Sequence, residues 1–151
     1  MQSKRIDPLL KRAQEKQDTV ARELADRQRV LETHLSRLDE LRRYADEYAS
    51  AQMAATSPAQ LMNRRAFLDR LDSAVAQQSQ TVDSNREKVE AERARLLLAS
   101  RDKQVLEQLA ASYRAQEQQV VEKRTQREMD DLGARRVRLL QAGDQDGGGS
   151  Q

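Results

Sequence analysis

The chain has 151 residues, of which 34% are charged and only 37% hydrophobic, with a mean hydropathy of −0.94. An ordinary globular domain is roughly 45–50% apolar, so this composition excludes a well-filled globular core. The 27 basic and 25 acidic residues give a net charge of +2 and are spread evenly: 11 against 10 in residues 1–50, 7 against 6 in 51–100, and 9 of each thereafter. Without a cluster of cations to meet a phosphate backbone, nucleic acid is not expected as a partner. The polar residues are mostly Arg, Glu, Gln and Lys, which are good helix formers, so low hydropathy here does not mean disorder. There is no cysteine, hence no disulfide framework and no thiolate metal site. Glycine is absent before Gly133, which excludes a glycine-rich phosphate loop and argues against any loop-rich fold.

The opening residues, Met1 to Pro8, lack the apolar core of a signal peptide. The longest apolar run is Leu96 to Ala99, far short of a membrane span. A cytoplasmic protein is expected, touching membranes only peripherally and through its partners.

Asp7 and Pro8 suit the N-cap and first position of a helix running over about 8–52. From Leu10 the apolar positions recur three and four apart. One series is Leu10, Gln17, Leu24, Leu31, Leu38 and Ala45; the other is Ala13, Val20, Arg27, His34, Leu41 and Tyr48. This is a coiled-coil seam with a few polar interruptions. The pattern fades in the small residues that follow Ser50, and a turn is expected at about 53–57.

Ser57, Pro58 and Gln60 then form a helix start, with a hydroxyl cap, a proline where no N–H is needed, and a glutamine able to reach back. The second helix is expected over about 58–140. Its seam positions are Leu61, Leu68, Val75, Val82, Val89, Leu96, Lys103, Ala110 and Glu117 in one series. The other is Arg64, Leu71, Gln78, Asn85, Glu92, Ala99, Leu106, Tyr113 and Val120. One phase thus holds for about sixty residues without a skip. Beyond Val121 the stripe thins, Gly133 weakens the helix, and residues 142–151 are expected to be a disordered tail.

The expected fold is all-α: a long antiparallel two-helix coiled-coil hairpin over 1–141 with an overhanging second helix. At about 1.5 Å per residue the second helix would span on the order of 120 Å, more than the first can cover. Folding back pairs Leu38 with Leu71 and Val20 with Val89, or, slipped by one heptad, Leu41 with Val75. Periodicity alone allows both registers.

Nothing in the chain promises catalysis. His34 is the only histidine, with no second histidine or cysteine to complete a metal site, so it reads as a seam or edge residue. Carboxylate pairs such as Asp39–Glu40 and Asp130–Asp131 read as solvated faces, because a two-helix hairpin offers no pocket to perturb them. Asn85 and Gln78 in the seam are expected to set register. No enzyme activity and no cofactor are expected. Tyr44, Tyr48 and Phe67, with Leu41 and Leu71, gather near the bend. They could simply close the seam, but two tyrosines four residues apart are hard to cover with two helices, and aromatics are enriched at interface centres. An exposed partner-binding face is the favoured reading.

A charged, glycine-poor chain with Leu41-Arg-Arg-Tyr44-Ala-Asp-Glu-Tyr48 before the bend and Phe67-Leu-Asp-Arg-Leu71-Asp-Ser-Ala74 after it resembles the flagellar FliJ proteins. Residues 126–132, Gln-Arg-Glu-Met-Asp-Asp-Leu, fit that family's C-terminal stretch. The resemblance implies a non-enzymatic stalk and chaperone of flagellar type III export, similar to the central stalk of a rotary ATPase. Its free ends would enter the pore of the hexameric export ATPase, and its bend would dock on the cytoplasmic domain of the export gate. It would also handle export chaperones, working in the cytoplasm at the inner membrane. Carried over, the docking residues are Leu41, Tyr44, Tyr48, Phe67, Leu71 and Ala74. Arg37 and Gln78 depart from the Gln and His expected at those positions. The alternatives are the equivalent stalk of a virulence-type secretion system, which would share the architecture, and a generic coiled-coil scaffold.

Overall fold

The computed structural model describes residues 2–51 and 57–146. The turn expected at 53–57 lies outside these residues except for Ser57, as does 147–151 of the expected tail. Two helices account for the described chain: α1, Gln2–Ser50, and α2, Pro58–Asp146. Their stretches pack antiparallel, and no strand occurs among the described residues. No described helix is long and apolar enough to cross a membrane.

The contacts divide the chain into two units: Arg12–Lys103, and the residues up to Lys11 together with those from Gln104 onward. In Arg12–Lys103 the seam follows the 3-4 pattern of the sequence. Val20, Leu38, Leu71, Val82, Val89 and Ala99 are buried, and Leu24, Leu31, Leu68, Val75 and Leu96 are half-buried. Aliphatic side chains fill this line because burying one is worth about 1.5–3 kcal/mol, while the flanking Arg and Glu keep their charges in water. Arg27 is an exception: it turns out to solvent and its neighbour Gln28 occupies the half-buried position. Leu61 is another, left 53% exposed at the first turn of α2.

Cross-helix contacts choose the register. The Gln17 side-chain amide donates to Ser100 Oγ at 2.9 Å, and Arg95 donates to Glu23 at the same distance. Val20, between those two α1 residues, therefore lies against Ala99 and Leu96 and not against Val89. Of the two registers the pattern allowed, this stretch adopts the one slipped from Val20–Val89. Asn85, though buried, does not set it: its amide donates to the carbonyl of Thr81 in its own helix at 2.8 Å. Gln78 does reach across, donating to the His34 carbonyl at 3.0 Å with His34 Nδ1 at 3.2 Å. Among the described residues no buried side-chain polar atom lacks a partner.

The end of α1 is closed by the opposite helix, and the start of α2 by its own serine. Ser57 Oγ accepts from the Gln60 N–H at 3.3 Å, and Leu61 N–H bonds the Ser57 carbonyl at 3.2 Å, so α2 starts on its own serine cap. The last turn of α1 contains no basic residue, leaving its final carbonyls without a cation of its own. Arg64 of α2 supplies one, donating to the carbonyls of Ala51 at 2.7 Å and of Tyr48 and Ala49 at 3.4 Å.

In the other unit α1 begins at Gln2 and not at about residue 8, and Pro8 lies inside the helix. Proline there forfeits the bond to the carbonyl four residues back, which costs stability. Tertiary packing overrides it: Ile6 and Ser3 are buried, and the Glu117 carboxylate accepts from Ser3 N–H at 3.1 Å and Ser3 Oγ at 2.6 Å. An anion thus sits on an orphan N–H of the first turn, where the helix dipole favours one. Arg114 pairs with Asp7 at 3.5 Å nearby. Ala110 is buried and Leu106 and Tyr113 are half-buried, whereas every residue from 118 to 144 is exposed. The helix continues through Gly133, whose missing Cβ would meet nothing within 4 Å, and reaches Asp146. Residues 142–146, expected to be disordered, are therefore helical; extending an existing helix costs far less than nucleating one.

Two predictions follow from register and capping. Because the chain has no cysteine of its own, Val20→Cys with Ala99→Cys should form an intramolecular disulfide readily. Val20→Cys with Val89→Cys should not, since Val89 is about 15 Å further along α2 than Ala99; a gel showing the reverse preference would contradict the register. The Ser3 hydroxyl and N–H hold the Glu117 carboxyl below its ordinary range. A depressed carboxyl pKa stabilises above the ordinary carboxylate range and loses that contribution as pH falls through the folded value. Protection of the first-turn amides of α1, measured against their intrinsic exchange rates, should therefore fall as the pH drops through the carboxylate range, and Glu117→Gln should remove that step; identical protection profiles in both proteins would count against it.

Candidate partner-binding site

The aromatic residues beside the end of α1 lie on facing helices. Tyr44 and Tyr48 are one turn apart on α1, so both rings point to the same side, and Phe67 on α2 comes between them. The Phe67 and Tyr48 ring centroids are 4.6 Å apart at an interplanar angle of 64°, and those of Phe67 and Tyr44 are 6.4 Å apart at 86°. Both are edge-on arrangements, which suit the ring quadrupoles and are worth about 0.5–1.5 kcal/mol beyond burial. Arg64, one turn before Phe67, holds the carbonyls of Tyr48, Ala49 and Ala51, and so ties α2 to the backbone that carries the tyrosines.

The six residues singled out from the sequence are not equivalent. Leu71 is buried in the seam, 8% exposed, and is a packing residue. Leu41, Tyr48, Phe67 and Ala74 are half-buried. Tyr44 is 51% exposed and displays its ring to solvent. The structure thus brings Tyr44, Tyr48 and Phe67 together but offers only Tyr44 fully outward. Leu41 and Tyr44 line a shallow groove with Arg37, Glu40 and Gln78. Both positions that depart from the family pattern therefore border the groove. Leu61 and Met62, 53% and 73% exposed, add apolar surface at the start of α2.

Periodicity missed Arg64, which it assigned to the seam. The signal for its actual role was the lack of a cation in the last turn of α1, together with an arginine two turns into α2. Periodicity placed His34 and Gln78 each in the seam but could not pair them, because that pairing depends on register. The arrangement offers an aromatic ring and a groove with one cation and one carboxylate on a helical support.

Comparison with known proteins gives one family. The profile described as flagellar FliJ protein matches residues 2–141, nearly the whole chain. No curated protein matches the chain, and no solved structure does either. The chain therefore belongs to the flagellar FliJ protein family and is a flagellar export-related protein.

Proposed function

We propose that this protein is a non-enzymatic stalk and chaperone of the flagellar type III export apparatus, coupling the hexameric export ATPase to the cytoplasmic domain of the export gate. The observation that carries the reading is the family match over 2–141 on a chain built as a helical hairpin. Helices paired along one seam leave their outer faces free for other proteins. On this reading the free ends engage the ATPase ring, export chaperones dock along the helices, and the protein works in the cytoplasm at the inner membrane through these partners. Tyr44, with the groove beside Leu41, is the gate-docking element; Tyr48, Phe67 and Ala74 support it, and Leu71 holds the seam beneath.

The test is to measure binding and stability together. The full chain should raise the rate of the purified export ATPase while hydrolysing no ATP alone. Tyr44→Ala should weaken binding to the gate domain by roughly tenfold or more, the usual effect of truncating an aromatic anchor. It should change the melting temperature little, because alanine's better helix propensity offsets the lost edge contact with Phe67. Arg64→Ala should do the opposite at the level of stability, lowering the melting temperature through the loss of charged hydrogen bonds worth about 1–3 kcal/mol. Normal gate affinity in Tyr44→Ala would remove the docking assignment.

A further inference from the structure

The unit made of the residues up to Lys11 and those from Gln104 onward has one flank without charge. Only three of the eighteen residues from 104 to 121 are charged, in a chain that is 34% charged. All three are turned elsewhere. Arg114 pairs with Asp7 at 3.5 Å, the Glu117 carboxylate accepts from Ser3, and Glu107 lies one heptad before Arg114, on the same side of α2. Leu9 is two residues from Asp7, and Leu109 is five from Arg114. At about 100° per residue, both therefore lie across the seam from that ion pair.

The flank they share is apolar and open. Leu9, Val105 and Leu109 are 48%, 61% and 40% exposed. Val105, Leu109, Ser112, Gln116 and Gln119 follow one another in steps of four and three, a line of α2 without a charge. It runs into a groove of about 270 Å³ beside Gln2, lined by Tyr113, Gln116, Glu117, Val120 and Val121. Single apolar residues on a surface are ordinary, but an apolar line depleted of charge has the composition of an interface centre.

The charges at its border indicate what covers it. Arg5 stands four residues before Leu9, and Lys123 four after Gln119. Both are exposed, and neither has an ion-pair partner among the described residues. Glu122 lies round the back of α2, where it accepts from the Gln118 amide at 3.3 Å. Within this unit the flank is thus an apolar centre with a cationic rim, and its complement is an apolar surface bordered by carboxylates.

We propose that the flank of Leu9, Val105 and Leu109 is a docking surface for a protein that meets it with aliphatic side chains and sets carboxylates against Arg5 and Lys123. The assignment rests on the stalk reading, which makes that protein the export ATPase, and it selects one flank of the free ends as the contact.

The experiment measures binding of the full chain to the purified export ATPase. Leu9→Gln with Val105→Gln should weaken it by roughly tenfold or more. Both residues are exposed and glutamine is a good helix former, so circular dichroism and gate-domain affinity should change little. Arg5→Glu should also weaken it, Arg5→Lys should restore most of the affinity, and binding should fall as salt rises. Ala111→Gln, on the opposite side of α2, should bind as the parent does. If the parent chain binds the ATPase and the double variant binds it equally well, the flank assignment falls while the stalk reading stands. If the parent chain does not bind the ATPase, both fall. A flank that instead pairs two copies of the chain, or holds it to anionic phospholipid vesicles, with ATPase binding unchanged in the double variant, also overturns the proposal.

Discussion

Burial in this protein is limited by the number of neighbours. At any level of a two-helix pair, an apolar side chain has one other helix to pack against and water on its remaining sides. Only the central line can be excluded from solvent, which is why Val20, Val82, Val89, Ala99 and Ala110 are nearly covered while Val30 and Leu97, a short way round the same helices, are not. Stability therefore depends on keeping that one line in register. The contacts that do so are polar: Gln17 with Ser100, Glu23 with Arg95, and His34 with Gln78. Hydrophobic pressure alone would tolerate a slip of seven residues, since the pattern repeats at that interval; these pairs would not survive it.

The same scarcity explains how the helix ends are treated. A helix leaves four N–H and four C=O groups unpaired, and a globular protein has loops and neighbouring elements to meet them. Here both ends of α1 are met by the other helix, while α2 starts on its own serine cap. Glu117 meets the start of α1, and Arg64 meets its end. Each charge sits at the end of the helix dipole that favours it, so capping and helix pairing become one interaction. Arg64 also places Phe67 against the tyrosines, linking the closure of α1 to the shape of the exposed aromatic site.

Much of this was legible in the residues. The 3-4 spacing of Leu10 to Tyr48 and of Leu68 to Glu117 marks the buried line almost position by position, because a heptad pattern has a single geometric meaning when glycine and proline are absent. The Ser57–Pro58 start was equally plain, being a local interaction among neighbours in sequence. What spacing could not show depends on long-range pairing: which register the seam adopts, that Gln78 meets His34 whereas Asn85 turns to its own helix, and that α1 survives Pro8 because Ile6 and Ser3 are buried. The candidate site divides the same way. Its aromatic composition was visible, but only the packed structure separates the exposed Tyr44 from the seam residue Leu71.

The central claim is that one seam supplies nearly all the protection in this molecule, and that helix without a seam partner is held only weakly. Residue-resolved amide hydrogen exchange on the dilute full-length chain tests it most directly. Lone helices of a few turns are marginal in water, so amides from 118 to 144 should exchange rapidly, while those around Val82, Val89 and Ala99 should be the slowest in the chain. Protection that continued undiminished through 118–144 at low concentration, or fast exchange at Val82 to Ala99, would contradict the account.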